Sequence, residues 1–241
     1  MKNSISKVIT ILFIATIFTS CSVDMFNRVN GNKNVISEVR KTSSKFSGIK
    51  VSTGIDLYIT QGEKNKIIVE ADENLHDIIM TEVEDGVLKV YSEKSIWRAK
   101  ARKVHVTIKD LTLLKATSGS DVYGKGIIKT DEISIAATSG ADIKITVDAT
   151  SVETSSTSGS DIRISGTTIN HASSATSGSS IYAYELESKN VIAKATSGAD
   201  IDVYASEKIE AKANSGGDID FKGNPKSVNK KSNSGGSVSR K

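Results

Sequence analysis

The chain has 241 residues, 37% of them hydrophobic and only 5% aromatic, with a single Cys and a single Pro. Its formal charge of +4 falls to +2 once Lys2 and Lys7 of the N-terminal segment are set aside, leaving 30 basic against 28 acidic residues. That balance excludes a nucleic-acid footprint, the lone cysteine excludes an intrachain disulfide, and the scarcity of large aromatics suits a thin core between closely spaced sheets.

At the N-terminus, Lys2 and Lys7 flank the start of an apolar run of 11 residues, Val8 to Phe18, which ends on the small-residue site Thr19-Ser20-Cys21. Such a run is too short to span a bilayer, which takes about 20 residues. The segment resembles a bacterial lipoprotein signal, in which residues 1–20 are removed and Cys21 becomes the lipid-modified N-terminus. Phe18 stands where that motif usually has an aliphatic residue. The alternative is an ordinary secretory peptide with an incidental Cys21. Two or more acyl chains give stable attachment, so the expected location is the cell envelope, anchored in the outer membrane and facing either side. Residues 21–41 are polar, rich in Asn and without a period, the pattern of a flexible tether.

Residues 42–241 form one expected domain, less regular over 42–115 and strictly repetitive over 116–241. Ile55, Leu57 and Ile59 alternate with Asp56, Tyr58 and Thr60 after Ser52-Thr53-Gly54, a half-buried strand behind a turn. Further β-branched runs follow, with Leu75 to Met80 open to a helical turn. The segment from Trp97 and Arg98 to Lys103 joins the only Trp to a basic cluster. It is either a solvated connector or a site for an acidic glycan or phospholipid headgroup.

From Thr117 onward the motif Thr-Ser-Gly-[Ser/Ala]-Asp recurs. Its glycines are Gly119, Gly140, Gly159, Gly178, Gly198, Gly216 and Gly235, at steps of 21, 19, 19, 20, 18 and 19 residues, and Gly54 is an outlying copy. A period this even over seven copies predicts a solenoid. Strand parity points Ala141, Ile143, Ile145 and Val147, with their equivalents, inward. Before each corner the inward residues are small: Ala116, Ala137, Ser156, Ala175, Ala195, Ala213 and Ser232. Two places farther back the same column ends on Lys230. Each repeat of about 19 residues is then one coil of a parallel β-helix, with Gly supplying a positive φ at its corner. The preceding Thr or Ser is expected to bond freed backbone groups there.

Taken together, Ser52-Thr53-Gly54-Ile55-Asp56, the turn Asp85-Gly86-Val87-Leu88 and the Ser-Gly-[Ser/Ala]-Asp series resemble the bacterial auto-transporter adhesin head, GIN domain family, over about Phe46 to Gly236. The resemblance implies an all-β, right-handed parallel β-helix of pectin-lyase-like kind, and a role in adhesion rather than catalysis. The chain has no heptad stalk and no C-terminal barrel of a trimeric autotransporter.

The outward residue after each corner is Asp56, Asp121, Asp142, Asp161, Asp200 or Asp218, with Ser180 and Ser237 interrupting the row. Stacked carboxylates repel by roughly 1 kcal/mol per neighbour even in water. Calcium is one way to offset that, with Asp121, Asp142, Asp161, Asp200 and Asp218 as its candidates. We prefer an Asx-type bond from each Asp to its own corner, and expect no metal and no cofactor. None of His76, His105 and His171 sits in a catalytic motif. His105 is expected on a strand surface and His171, in register with Ile133, Val152 and Val191, in the core or at a bulge. Asp200/Asp202 and Asp218/Asp220 leave a polysaccharide-active enzyme as an alternative, although pairing with Lys212 and Lys222 gives them a structural role. The preferred reading is non-catalytic binding of a glycan or protein through outward columns that include Tyr123, Lys144, Arg163 and Tyr182, with Tyr184 and Tyr204 farther along their strands. A structural role, with copies pairing through an open end of the β-helix, is the other alternative.

Overall fold

A computed structural model describes residues 28–42 and 44–241. The strands of the N-terminal part are β1 Arg28–Asn30, β2 Val35–Arg40, β3 Gly48–Val51, β4 Asp56–Gln61, β5 Lys66–Asp72, β6 Ile79–Glu84, β7 Val87–Ser92, β8 Ser95–Arg98, β9 Arg102–Ile108 and β10 Leu113–Thr117. The repeats contribute β11 Asp121–Thr138, β12 Asp142–Thr157, β13 Asp161–Thr176, β14 Ser180–Thr196 and β15 Asp200–Asn214, followed by β16 Asp218–Lys222, β17 Ser227–Ser232 and β18 Ser237–Arg240. Each long strand runs from one Ser-Gly corner to the next and pairs in parallel with the coils before and after it. The molecule is a β-solenoid, as the period predicts.

The corners are where sequence and geometry meet most tightly. Ser and Gly are both left-handed at all seven regular copies, for example Ser118 (φ 57°) with Gly119 (φ 67°) and Ser158 (φ 56°) with Gly159 (φ 68°), and Thr53 (φ 60°) takes the place of Ser before Gly54. Gly alone was expected there. A Cβ built on Gly119 or Gly140 meets nothing within 4 Å, so conformation and not space selects glycine. The Gly N–H donates to the Ser carbonyl of the following coil all along the stack, from Gly54 to Ser118 (3.0 Å) through Gly140 to Ser158 (3.2 Å) to Gly216 to Ser234 (3.1 Å). Left-handed Ser costs about 1–2 kcal/mol, and the repeated bond between coils offsets it.

Parity fills the interior as expected. Ala116, Ala137, Ser156, Ala175, Ala195 and Ala213 stack in register, all buried, beside the buried Ile143, Ile162, Ile181, Ile201 and Ile219. The inward serines after the Gly take over the corner bonding expected of the Thr or Ser before it: Ser160 Oγ accepts the Thr157 N–H (3.1 Å), and Ser179 Oγ the Thr176 N–H (3.3 Å). At the repeats the Thr hydroxyls reach only the adjacent Ser, as in Thr138 Oγ1 to Ser139 Oγ (3.4 Å). The column ends differently from expectation at Lys230 and Ser232. Both are exposed, because no described coil stacks over them, and the Lys230 ammonium lies 4.8 Å from the centre of the Phe221 ring.

At the other end the parallel stack gives way to antiparallel pairs, β2 with β5, β5 with β9 and β6 with β7. The stretch expected to be a tether is therefore ordered in part, as β1 and β2. Its anchor is the buried Asp72, which accepts the N–H groups of Lys33 (2.8 Å), Lys100 (3.0 Å) and Ala101 (2.9 Å). Burial pushes this carboxyl up, and the backbone donors more than reverse that, leaving its pKa below the usual value. A single 3₁₀ turn, Glu73–Leu75, precedes most of the stretch left open to a helical turn. The signal segment and Cys21 lie outside the described residues.

His171 occupies the core in register with Val152 and Val191. Its Nε2 lies 2.9 Å from Thr154 Oγ1, and Nδ1 is buried without a partner. Burial lowers its pKa to about 4, against about 6.5 in an unfolded chain. The unfolded state therefore binds the extra proton in that window, and stability present above pH ~6.5 drains away as the pH falls towards 4, by on the order of 3 kcal/mol in total. His171→Val, which matches its neighbours on both sides, should flatten the pH dependence of urea unfolding between pH 6.5 and 4. An unchanged slope would show that His171 is not its source.

Candidate binding face

The outward residue two places after each Asp of the row forms one continuous column. In register it runs His105, Tyr58, Tyr123, Lys144, Arg163, Tyr182, Asp202 and Asp220. Parallel strands hold such residues about 4.8 Å apart, close enough for flat side chains to stack. Tyr58 stacks on His105 with ring centroids 5.0 Å apart and on Tyr123 at 5.3 Å. The Arg163 guanidinium lies 4.8 Å over the Tyr182 ring. His105 is tied by Nε2 to Glu70 Oε2 (2.8 Å), and that bond holds the Glu70 carboxyl below its usual range.

Irregular register turns this column into a concavity. Tyr123 pairs with Lys144 and Ile127 with Thr146, so Gly124, Lys125 and Gly126 bulge outward. Arg163 pairs with Tyr182 and Ser165 with Glu185, which inserts one residue of β14 beside Tyr184. Between the bulges lies a cleft of about 390 Å³ lined by Tyr123, Lys144, Arg163, Tyr182, Tyr184 and Asp202, among others. The Tyr184 phenol is half-buried in the cleft wall. Burial, and then the charge of the nearby Asp202 carboxylate, raise its pKa, so it stays a donor. Lys222 Nζ caps the ring of Tyr184 at 4.3 Å.

Of the residues singled out from sequence, Tyr123, Arg163, Tyr182 and Tyr184 converge here. Tyr204 instead lines a wider polar groove of about 1250 Å³ with Lys129, Asp148 and Glu187. Trp97 and Arg98 sit apart on β8, which among the described residues pairs only with β1. Tyr58, His105 and Glu185 were missed. Tyr58 follows Asp56 as Tyr123 follows Asp121, so the outlying repeat already marked it. His105 is brought in by pairing outside the repeat.

The aspartate row is in register as well, Asp121 beside Asp142 and Asp161, and Asp200 beside Asp218. The expected Asx role is not what the geometry has. From Gly54 to Gly216 the corner Gly N–H donates to the next coil, and the Asp142 N–H to Ser120 O (3.1 Å), so these donors are not open to the carboxylates. Asp161 turns to Arg163 (3.1 Å), and Asp218 accepts from Ser237 Oγ (2.7 Å). Among the described residues no group of three or more His, Cys, Asp or Glu side chains converges as a metal site. Asp220 pairs with Lys241 (3.0 Å) rather than with Lys212 or Lys222.

Burial and the neighbouring Asp56 and Asp142 push the Asp121 carboxyl up, with Arg102 opposing. A raised folded pKa means that ionisation weakens the fold as pH rises above the ordinary carboxylate range. Asp121→Asn should therefore stabilise the protein at pH 7 by a few tenths to about 1 kcal/mol. Asp161→Asn, which gives up its Arg163 contact, should not. Urea midpoints at pH 7 decide this, and a destabilised Asp121→Asn would contradict it.

Comparison with known proteins places this geometry. A family model described as "Putative auto-transporter adhesin, head GIN domain" matches residues 45–225. In structure the chain is similar to a "putative adhesin" of Bacteroides fragilis, with 22% identity, a TM-score of 0.83 and coverage of 88% of this chain and 100% of that one. It is similar also to a "putative adhesin" of Parabacteroides merdae (22% identity, TM-score 0.71, 89% and 99% covered) and to a "Putative lipid binding protein" of Parabacteroides distasonis (22%, 0.73, 89% and 99%). At this identity these likenesses establish the fold. No curated protein matches the sequence. The family model spans the Ser-Gly corners from Gly54 to Gly216, and the chain belongs to the auto-transporter adhesin head GIN domain family.

Proposed function

We propose that the protein is a non-catalytic adhesin of the cell envelope, anchored by lipid at Cys21, that binds carbohydrate in the cleft between the two bulges. The supporting observation is the cleft itself, where Tyr123 and Tyr182 stand with Lys144, Arg163 and Asp202 on one rigid sheet face. Aromatic faces stack on the apolar faces of sugar rings, while fixed cations and carboxylates direct hydrogen bonds to hydroxyls. The size is that of a pocket for a small number of sugar units. Family membership supports an adhesive role at the cell surface or envelope. The acids of this face have neighbours of their own: Asp220 pairs with Lys241, and Asp202 shares the cleft wall with the Tyr184 phenol. That favours binding over polysaccharide cleavage.

The reading is tested by screening residues 22–241 on a glycan array and measuring the hits by calorimetry. Tyr182→Ala and Tyr123→Ala should each weaken a genuine ligand about tenfold or more, the loss of one stacking contact, with thermal unfolding little changed. Hits that bind both variants as tightly as the parent would place the site elsewhere on the solenoid. Turnover of any bound polysaccharide would replace the adhesin by an enzyme.

A further inference from the structure

We propose that the N-terminal end of the solenoid is a docking surface for an anionic phospholipid bilayer, formed by β1, β8 and the turn that follows β8. Strand β1 pairs with β8 as a two-stranded sheet separate from the main stack. It presents Trp97, 55% exposed, with the Arg28 guanidinium 4.5 Å over its ring. From Lys94 to Lys103 the sequence has five basic residues, Lys94, Arg98, Lys100, Arg102 and Lys103, and no acidic one. Among the described residues only Lys103 of these forms an ion pair, with Glu70 (3.5 Å). The acid buried beneath them, Asp72, is committed to backbone N–H groups. Arg102 and Lys103 face Asp56, and Arg102 also Asp121. The outward charge therefore rests on Lys94, Arg98 and Lys100, which form no ion pair among the described residues.

An exposed Trp beside unpaired cations has the chemistry of an interfacial anchor: the indole sits at headgroup level and the cations meet lipid phosphates. Chain length supplies the geometry. Arg28 follows Cys21 by seven residues, a reach of at most about 25 Å. A lipid at Cys21 therefore holds β1 near the bilayer. The solenoid then stands on its N-terminal end, with the cleft of Tyr123 and Tyr182 carried on its side. This rests on the lipid anchor of the proposed function and not on its carbohydrate ligand.

Residues 22–241, which lack Cys21 and hence any acyl chain, test the surface alone. They should sediment with vesicles of phosphatidylethanolamine and phosphatidylglycerol, much less with phosphatidylcholine, and release as salt is raised. Trp97→Ala/Arg98→Gln/Lys100→Gln should lower the bound fraction at least tenfold at equal lipid. The charge-only Arg98→Gln/Lys100→Gln serves if the triple variant unfolds, and Tyr182→Ala should bind as the parent does. No binding to anionic vesicles, binding unaffected by the charge variants, or retention by an acidic polysaccharide without vesicle binding would each overturn the proposal. Mass spectrometry of the native mature chain tests the anchor separately: an unmodified Cys21 removes the anchor but leaves the vesicle result standing.

Discussion

The structure depends on one bond repeated along an edge, from a left-handed Gly N–H to the left-handed Ser carbonyl of the next coil. Two successive residues at positive φ reverse the chain within a single short turn. With every coil reversing identically, neighbouring strands meet in register over nearly their whole length. Small residues follow beside the corner, where inward side chains of adjoining strands converge, and branched residues fill the positions farther along. A coil has no hydrophobic interior of its own, so its stability is largely that of its contacts with the coils on either side.

Register also makes the outer surface functional. Stacking coils in step converts residues that lie about 19 apart in sequence into neighbours about 4.8 Å apart. Tyr58 stacks with Tyr123 and Arg163 with Tyr182 for this reason, and the aspartates are forced into one row by the same operation. The two rows have opposite outcomes. Flat rings and guanidinium groups gain by being stacked, whereas carboxylates repel: burial first and then the neighbouring carboxylates raise the pKa values of Asp121 and Asp200. Bulges then break the ladder at two places and open the cleft between them. They are the places where the repeat lengthens, at Gly124 to Gly126 and at Tyr184.

The solenoid was legible because its signal is periodic and local: glycine steps, small residues before the corner, alternation after it. Register alone left His171 to the core or a bulge, and it lies in the core. What was not legible depends on contacts between coils or outside the period. The Asx role failed because a corner viewed singly has free N–H groups, while in the stack the next coil uses them. The left-handed serines went unrecognised for a related reason, since the bond that offsets their cost comes from another repeat. A polar, Asn-rich stretch looked like a tether, yet Asp72, far along the chain, orders its second half. The cleft was half visible, since Tyr123, Arg163 and Tyr182 follow from parity. The bulge that turns Tyr184 into its wall shows in the sequence only as a step of 20 residues from Gly178 to Gly198, which does not say where along the coil the extra residue sits.

Hydrogen exchange at the corner glycines tests this account most directly. Gly119, Gly140, Gly159, Gly178 and Gly198 lie in exposed turns, where amides ordinarily exchange fast. If their N–H groups bind the coils together, they exchange as slowly as the buried strand amides of Ile143 and Ile162, and lose protection with them as urea is added. Exchange of those glycines at the rate of open turns, with the strands still protected, would show that the corners follow from the stacking and do not enforce it.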